Sequence, residues 1–347
     1  MSYVGAGKDQ QIRACLQRAV EGPRTNGFEG FGLVGRLPEF DFKEIDTSCT
    51  LLGKRLTVPL YIASLTGGGR ISGRINSVLA EAAQELGIGM ALGSQKLMLT
   101  HPETAESFQV RKWAPDILLM GNLGLVHLNY GLTVDDCRRA VESVEADALT
   151  FYLNPLHEIF QNAGDTNFRG ILGKLEEICN RLSCPVVVKE VGFGLSRGIL
   201  QRLGDTGVTA VDVAGQGGTD WGLVEQALGC TRPDPVYAEL GIPTAEAVRA
   251  ATKALSIDMT ILASGGIRNG VEIAKAIALG ATAAGMALPY LRWASDSTER
   301  VVAETHRIAD QLRVSMWYAG AASPDDLRGR AEQRGSPPDT NQRTETT

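Results

Sequence analysis

The chain has 347 residues, of which 44% are hydrophobic and 21% charged, and its net charge is −6. This composition is typical of a globular protein with a sizeable core, and the acidic balance gives no electrostatic reason to expect nucleic acid or an anionic membrane as a partner. No run approaches the roughly 20 apolar residues that cross a bilayer, and the N-terminus lacks the apolar run of a signal peptide. We therefore expect a cytoplasmic protein with no membrane insertion.

Residues 1–58 precede the first regular pattern in the chain. They include GFEGFGLVGRLPEFDFKEID, which is irregular and rich in glycine and phenylalanine. A segment of this kind has no repeat of apolar positions from which to build its own core. We predict that residues 1–58 form an arm that packs on the domain that follows.

From residue 59 onward, short apolar runs alternate with longer amphipathic stretches. The runs lack strict alternation, as expected of strands that are buried on both faces. Helical patterns separate them, for example at 71–86, 168–182 and 270–280. The runs are PLYIAS (59–64), GIGMALG (87–93), ILLMGNLG (117–124), ALTFYLN (148–154), PVVVKEVG (185–192), AVDVAGQGG (210–218), MTILASGG (259–266) and AAGMALP (283–289). Strands that alternate with helices in this number predict an α/β fold, a (β/α)8 TIM barrel over residues 59–320, with an open doubly wound sheet as the alternative.

The chain changes character after residue 320. The sequence ASPDDLRGRAEQRGSPPDTNQRTETT is polar and poor in large apolar side chains. Such a segment buries too little apolar surface to offset the entropy of ordering it. We predict a disordered tail over residues 321–347.

Chemistry in TIM barrels gathers at the carboxyl ends of the strands. Here nearly every predicted strand ends on a glycine or a small hydrogen-bonding residue, and a single polar strand end would be ordinary loop chemistry. Together these ends predict a lined cavity. They are Thr66, Gly67, Ser94, Gln95, Asn122, Asn154, Lys189, Gly218, Thr219, Gly265, Gly266, Arg268, Ala287 and Leu288.

The loop SGGIRNG follows the seventh predicted strand and leads into a helix. Gly265 and Gly266 would let a phosphate approach the backbone closely, and Asn269 is placed to cap the helix whose N-terminus attracts anions. Phosphate sites in barrels commonly use the loops after strands seven and eight. A tight turn is the plain alternative. The position of the loop favours a phosphate site that includes Arg268.

Two further positions call for a ligand. Lys189 interrupts an apolar strand, and its neighbour Glu190 points to the opposite face, so an anion or an electron-rich ring at the barrel mouth is the better partner.

The stretch FYLNPLHEIF places Asn154, His157 and Glu158 where a strand stops. Histidine is the side chain type most often used for proton transfer near neutrality.

The motifs PLYIASLTGGG, GSQ, GNLG, LNPLHE, VVVKEVGFGLS, GQGGTDW, ASGGIRNGVEIAKAIALGA and GMALPYL occur in an order and spacing that resembles the type 2 isopentenyl-diphosphate delta-isomerases. The resemblance covers about residues 8–318. It implies an FMN-dependent barrel enzyme that moves the double bond of a prenyl diphosphate by adding and removing a proton. It also implies Mg²⁺, NADPH as the reductant of the flavin, and a homo-oligomer of four or more chains.

The resemblance also implies roles for individual residues. Glu158 would bind the metal, and the catalytic residues would be Lys8, Gln95, Asn154 and His157. The flavin would lie against Thr66, Gly67, Ser94, Asn122, Lys189, Gly218 and Thr219, with its phosphate on Gly265, Gly266 and Arg268 and the site closed by Ala287 and Leu288.

This chain departs from the family pattern on the substrate side. Gly7 and Gln11 stand where the family has an arginine and a histidine, Gly35 and Tyr152 each stand where it has a histidine, and His157 replaces a glutamine. Tyr152 could be a core aromatic or a polar group of the site. The alternatives to the isomerase are a diverged flavoenzyme for a different or larger prenyl substrate, an α-hydroxy-acid oxidase-like enzyme, and a non-catalytic flavin-binding protein.

Overall fold

The computed structural model of the chain describes residues 4–256 and 258–335. Its strands are β1 (Phe31–Leu33), β2 (Cys49–Leu51), β3 (Lys54–Leu56), β4 (Leu60–Ile62), β5 (Gly89–Ala91), β6 (Leu119–Gly124), β7 (Ala148–Tyr152), β8 (Val186–Lys189), β9 (Ala210–Asp212), β10 (Thr260–Ser264), β11 (Ala283–Met286) and β12 (Ala331–Gln333). Its α-helices are α1 (Ala6–Gln17), α2 (Arg70–Leu86), α3 (Lys96–Thr100), α4 (Val134–Glu142), α5 (Pro155–Phe160), α6 (Ile171–Arg181), α7 (Arg197–Gly204), α8 (Trp221–Ala227), α9 (Thr244–Ala254), α10 (Gly270–Ala278), α11 (Leu288–Ala294) and α12 (Thr298–Tyr318). Short 3₁₀ helices cover Phe28–Gly30, Phe42–Glu44, Pro102–Phe108, Leu125–Asn129, Pro235–Leu240 and Asp325–Leu327. Within these described ranges, no helix combines the length and the apolar character that crossing a bilayer requires.

Strands β4 to β11 close into a barrel in which every neighbouring pair is parallel. They follow one another around the barrel in chain order, and β11 returns to β4 with Gly285 opposite Tyr61. Each predicted apolar run contains one of these strands. The predicted (β/α)8 barrel is confirmed, and the closed ring excludes the open doubly wound sheet.

Alanines and larger side chains share the barrel interior. Ala63, Ala91, Ala148, Ala210 and Ala283 belong to the interior cluster, together with Tyr61, Leu118, Met120, Val187 and Leu262. The Tyr61 hydroxyl crosses the interior to donate to Asp212 Oδ2 at 2.6 Å, and a Cβ at Gly285 would lie 2.4 Å from the same ring. The large aromatic therefore takes its space from a glycine on the neighbouring strand.

The hairpin of β2 and β3 closes the amino end of the barrel. Leu51 and Leu56 are fully buried and belong to the same cluster as the barrel interior. Because β3 leads directly into β4, this hairpin must lie where the strands begin. The carboxyl ends of the strands are therefore the end at which a cavity can open.

Residues near the N-terminus cover the opposite, carboxyl end. Helix α1 buries Ile12 and Cys15, and Asp9 Oδ1 accepts a hydrogen bond from the Ile71 backbone N–H at 3.1 Å. Farther along, Asn26 Nδ2 donates to the Gly266 carbonyl at 2.8 Å. These contacts fix the first part of the chain against the loops after β4 and β10.

The predicted disorder from residue 321 is wrong for residues 321–335. Strand β12 pairs antiparallel with β1, and Gln333 lies opposite Phe31. Ala321 and Leu327 are fully buried. The segment is ordered because it completes a two-stranded sheet with the N-terminal region, a long-range pairing that its polar composition does not reveal. Residues 336–347 of the predicted tail lie outside the described residues.

Candidate active site

A cavity of about 460 Å³ opens at the carboxyl ends of the barrel strands. This volume lies in the range of small-molecule and cofactor sites. Most of the predicted site residues line it, namely Lys8, Thr66, Ser94, Asn122, Asn154, His157, Glu158, Lys189, Gly218, Thr219, Gly265, Gly266, Arg268, Ala287 and Leu288. Two predicted residues, Gly67 and Gln95, do not.

Both exceptions have a structural role. Gln95 is fully buried, and its side chain donates to the Ala140 carbonyl and accepts from the Asn122 backbone N–H, each at 2.8 Å. Its amide is thus used by the backbone of β6 and α4. A Cβ at Gly67 would lie 1.9 Å from the Phe108 ring, so this glycine makes room for an aromatic side chain. The structure therefore places both residues behind the cavity wall, and the catalytic role of Gln95 and the flavin contact of Gly67 stay predictions.

The cavity wall near β9 and β10 is built from backbone. Gly265 and Gly266 have φ values of +101° and +73°, a region that favours glycine. A Cβ at Gly265 would lie 2.0 Å from the Gly215 carbonyl oxygen, and one at Gly218 would lie 2.6 Å from Gly266 N. Asn269 caps α10 as predicted, because its Oδ1 accepts from the Glu272 N–H at 3.0 Å. Two loops therefore meet in a cradle that admits no side chain.

Arg268 brings a cation to the edge of this cradle. Its guanidinium pairs with Glu21 at 2.5 Å, and the second oxygen of Glu21 lies 3.2 Å from Arg292. Partial burial alone would raise the pKa of Glu21, but hydrogen bonds and charge from the two arginines hold this pKa below its usual value. The carboxylate therefore stays ionised and occupies both cations.

Lys189 reaches the cavity from β8 and is buried. Its Nζ donates to the Glu190 backbone carbonyl at 2.5 Å, whereas the Glu190 carboxylate turns away to accept from the N–H groups of Val191, Gly192 and Phe193. Burial lowers the pKa of the lysine, and the charges of Asp212 and Glu190 oppose that effect. As predicted, the lysine side chain points to the barrel mouth and not to its neighbour's carboxylate.

Two buried acceptors beside the cavity have no partner among the described residues. Asn122 donates from Nδ2 to Ser64 Oγ at 2.6 Å, but its Oδ1 accepts nothing, and Asn154 Oδ1 is in the same state. A buried polar atom without a partner costs about 1–3 kcal/mol. Both atoms belong to cavity-lining residues, so donors on a ligand would satisfy them.

His157 is held on three sides. Its Nε2 lies 2.9 Å from Glu225 Oε1, its Nδ1 lies 3.2 Å from Asn154 Nδ2, and its ring packs on Trp221 with 4.6 Å between centroids. Glu225 is a site residue that the sequence analysis missed. It lies one turn after Trp221 on α8, and this i, i+4 spacing was the available signal.

Glu158 is a buried carboxylate with cavity access. Its Oε1 accepts from Asn154 Nδ2 at 2.9 Å and its Oε2 from the Asp165 backbone N–H at 2.8 Å. Over residues 4–256 and 258–335, no three His, Cys, Asp or Glu side chains are grouped so that they could hold a metal. A metal here would therefore depend on ligand oxygens, as Mg²⁺ does when it binds one or two carboxylates and substrate phosphates.

A cluster of Lys96, His127 and Asp165 completes the wall between β5 and β7. Asp165 Oδ2 lies 3.1 Å from Lys96 Nζ and 3.6 Å from His127 Nε2. Tyr152 packs edge-on against His127 and lies 3.2 Å from Ser94 through its hydroxyl. Burial raises the pKa of Tyr152 well above its usual value, so its phenol remains protonated. Tyr152 is thus a polar group of the cavity wall.

The other departures from the family pattern lie in two places. Gln11 lines the cavity and its Oε1 is 3.5 Å from Lys8 Nζ, whereas Gly7 has open space where a side chain would be. Burial lowers the pKa of Lys8. Gly35 lies outside the cavity, where a Cβ would be 2.8 Å from the Tyr318 hydroxyl. The packing of Tyr318 accounts for that glycine, and its predicted place on the substrate side is wrong.

The chain thus forms a closed barrel with a glycine cradle at its mouth, and a family model described as FMN-dependent dehydrogenase matches residues 145–333. Isopentenyl-diphosphate delta-isomerase from Nostoc sp. is 41% identical over 332 residues, which cover 92% of this chain and 93% of the relative. The enzymes of the same name from Stutzerimonas stutzeri and Deinococcus radiodurans are 47% and 44% identical, and each alignment covers 84% of this chain, with 86% and 87% of the relative. The chain belongs to the isopentenyl-diphosphate delta-isomerase family.

Solved structures show more distant likeness. A mandelate oxidase mutant with a monooxide FMN adduct superimposes with a TM-score of 0.60 at 19% identity, covering 94% of this chain and 92% of that one. A flavocytochrome b2 mutant with benzoylformate gives a TM-score of 0.68 at 17% identity, covering 93% and 82%. At these identities the comparison concerns the fold alone.

Proposed function

We propose that the chain is an FMN-dependent isomerase that converts isopentenyl diphosphate to dimethylallyl diphosphate. One observation carries the proposal: a single cavity joins a backbone-built cradle to a wall that presents Lys8, Lys96 and the buried carboxylate of Glu158. The first suits a flavin and its phosphate, and the second suits a diphosphate with a divalent cation. The isomerases of the same family have this name at 41–47% identity.

The residues present fit FMN. The unpartnered Oδ1 of Asn122 would accept from an N–H of the ring, and the cradle of Gly218, Gly265 and Gly266 would accept a phosphate with Arg268 at its edge. Reduced FMN, when bound, would supply the acid–base group that adds and removes the migrating proton. The remaining contacts would come from Thr66, Ser94, Lys189, Thr219, Ala287 and Leu288.

Glu158 would bind Mg²⁺ together with phosphate oxygens of the substrate. Asn154 Nδ2 and the Asp165 N–H fix both carboxylate oxygens, so the group is oriented before a metal arrives. This orientation leaves the remaining lone pairs of the carboxylate for the cation. The metal would neutralise diphosphate charge and hold the prenyl chain in one position.

His157, Asn154 and Lys8 would position the prenyl end of the substrate. Glu225 and Gln161 contact one ring nitrogen of His157 and Asn154 contacts the other, so the imidazole is held in one orientation. The resulting arrangement would exclude water from the carbon that receives the proton. Lys8 would contribute a donor from α1, at the side where the first part of the chain covers the cavity.

We also propose NADPH as the reductant, a cytoplasmic location and assembly into a homo-oligomer. These follow from the family resemblance. Reduction of the flavin by NADPH can be followed at 450 nm without oxygen, and the number of chains by light scattering during gel filtration. A monomer at micromolar concentration would contradict the third proposal.

The decisive experiment is an anaerobic incubation of the FMN-loaded protein, reduced with dithionite, with Mg²⁺ and isopentenyl diphosphate. Dimethylallyl diphosphate, detected by mass spectrometry after acid hydrolysis to its alcohols, is the expected product. A parallel series with longer prenyl diphosphates tests the diverged-substrate alternative, which would be favoured by turnover of those substrates alone. Peroxide formation from mandelate or lactate in air would favour a hydroxy-acid oxidase, and a colourless protein that takes up no FMN would remove every flavin-based function.

A further inference from the structure

Two histidines line the cavity, and they differ in how their nitrogens are used. His157 has a hydrogen-bond partner at each ring nitrogen. His127 has none at Nδ1 among the described residues, and its Nε2 lies 3.6 Å from Asp165 Oδ2, beyond hydrogen-bond distance. Its side chain is only 8% exposed. A buried imidazole without a hydrogen bond is costly unless a ligand supplies one.

The packing of His127 determines which nitrogen can serve a ligand. A Cβ at Gly124 would lie 2.7 Å from His127 Nδ1, so that edge of the ring rests directly on the backbone of β6 with no space for a partner. The Nε2 edge faces Asp165 and the cavity. Because an N–H without an acceptor would be buried against Gly124, the neutral ring keeps its proton on Nε2. His127 therefore presents an N–H donor to the cavity.

Asp165 shows what kind of group belongs beside this donor. A single oxygen, Oδ2, lies next to both Lys96 Nζ and His127 Nε2. This carboxylate oxygen lies where one cation and one neutral donor converge, which is the environment that a phosphate oxygen requires. The cation and donor belong to different elements, the start of α3 and the 3₁₀ helix after β6, so the convergence is a product of the fold.

We propose that His127 is a substrate-binding residue whose Nε2–H, together with Lys96, holds the terminal phosphate of the diphosphate in place of the Asp165 carboxylate. This inference rests on the proposed function for the identity of the substrate. It adds a residue of the 3₁₀ helix after β6 to the binding site and assigns Asp165 the role of a competing anion in the ligand-free protein. It also predicts that His127 distinguishes diphosphates from monophosphates, because the monophosphate lacks the group that it would contact.

The experiment uses the FMN-loaded, dithionite-reduced protein with Mg²⁺. His127→Phe keeps an aromatic ring of similar shape and removes the donor, and His127→Gln restores an N–H donor without a ring. Dissociation constants are measured by calorimetry for inorganic pyrophosphate, isopentenyl diphosphate and isopentenyl monophosphate. KM and kcat are measured with isopentenyl diphosphate.

The phenylalanine variant should bind both diphosphates about 10- to 100-fold more weakly, the range expected for loss of one hydrogen bond to a charged group. Its monophosphate affinity and its kcat at saturating substrate should stay within about threefold of wild type, and the glutamine variant should recover most of the lost affinity. Asp165→Asn, which removes the competing charge, should bind pyrophosphate more tightly.

Three results would overturn the inference: unchanged diphosphate affinity in His127→Phe, an equal loss for monophosphate, or a fall in kcat with KM unchanged. If His127→Phe does not retain FMN, the comparison of His127→Gln with wild type decides in its place, since near-wild-type binding of pyrophosphate is then required. Failure of the proposed function looks different. The wild-type protein would then bind pyrophosphate in a His127-dependent way but form no dimethylallyl diphosphate.

Discussion

One side of the cavity is built from backbone and the other from side chains. Near β9 and β10 the wall is backbone, where loops meet so closely that Gly218 and Gly265 have no room for a Cβ. Near β6 and β7 it is made of side chains, among them His127, Tyr152 and Glu158. A backbone cradle is altered only when a glycine changes, whereas a side-chain wall can be altered one residue at a time. Two of the departures from the family pattern, Tyr152 and His157, lie among the side chains that line the cavity.

The largest effect should come from closing the cradle. Gly265→Ala places a methyl group 2.0 Å from the Gly215 carbonyl oxygen at a φ of +101°. The conformational cost of about 1–2 kcal/mol then adds to an overlap with rigid backbone, so we expect a loss of more than about 3 kcal/mol in stability or complete loss of FMN. Thermal denaturation and the flavin content after gel filtration measure both.

Gly53→Ala is the matched control. Gly53 has a φ of +83° in the turn between β2 and β3, and its added Cβ would meet nothing within 4 Å. The Gly53→Ala variant therefore has the backbone strain without the overlap, and it should retain FMN. If both variants unfolded at the same temperature and both retained FMN, the backbone contacts of Gly265 would not be as tight as the structure indicates.

The side-chain wall should respond less drastically and in a metal-dependent way. Glu158→Gln keeps an acceptor for Asn154 and loses the charge that would attract Mg²⁺. We expect the Mg²⁺ concentration that gives half the maximal isomerisation rate to rise about 100-fold, which is the size of a lost charge-assisted contact. The FMN content should be unchanged. A titration of rate against Mg²⁺ measures this.

Glu177→Gln on α6 is the control for that charge change, because Glu177 is exposed and forms an i, i+4 ion pair with Arg181 on the same helix. It should leave the Mg²⁺ titration where it is in wild type. A Glu158→Gln variant with an unaltered Mg²⁺ titration would mean that the metal binds elsewhere or is not required.

A histidine in the side-chain wall should also make the stability of the folded protein depend on pH. Burial and the charge of Lys96 lower the pKa of His127 from 6.5 to about 4. The folded protein therefore resists protonation that the unfolded chain accepts, so stability present above pH 6.5 is lost as pH falls toward 4. Between pH 7 and 4.5 wild type should lose about 2 kcal/mol more than His127→Gln, which cannot titrate there. Urea denaturation at the two pH values measures the difference, and equal losses would show that the ring is not buried as described.

The same contrast between backbone and side chains separates what the sequence predicts from what it does not. The barrel strands are predictable because each is a short apolar run, and the cradle because glycines follow the strands. The role of Gln95 is not predictable, since its polar ends meet the backbone of Ala140 and Asn122 only after folding.

Order in the C-terminal segment and the place of His127 depend on distant contacts in a similar way. The segment is polar, yet β12 pairs with β1 from the other end of the chain. His127 follows Gly124 by three positions in LGLVHL, and only the 3₁₀ turn after β6 returns it to the cavity rim. Composition and spacing report local preference, and they carry little information on which distant groups will meet.

The smallest effect should come from a carboxylate that pairs with the arginine at the edge of the cradle. Glu21 occupies Arg268 and Arg292, and it stays ionised because the arginines lower its pKa despite partial burial. A phosphate in the cradle would meet Arg268 in competition with this carboxylate. Glu21→Gln removes the competing charge but keeps a polar group of the same size. FMN should therefore bind about three- to tenfold more tightly, the size expected of one screened charge at a partly exposed site.

Titration of apoprotein with FMN, followed by quenching of flavin fluorescence, measures the change, and Glu177→Gln again serves as the charge-matched control. The gain should shrink in 0.5 M NaCl, because salt screens a repulsion between exposed groups. Weaker FMN binding in Glu21→Gln would reverse the interpretation. Glu21 would then be needed to orient Arg268 toward the phosphate, and even this half of the cavity would depend on a replaceable side chain.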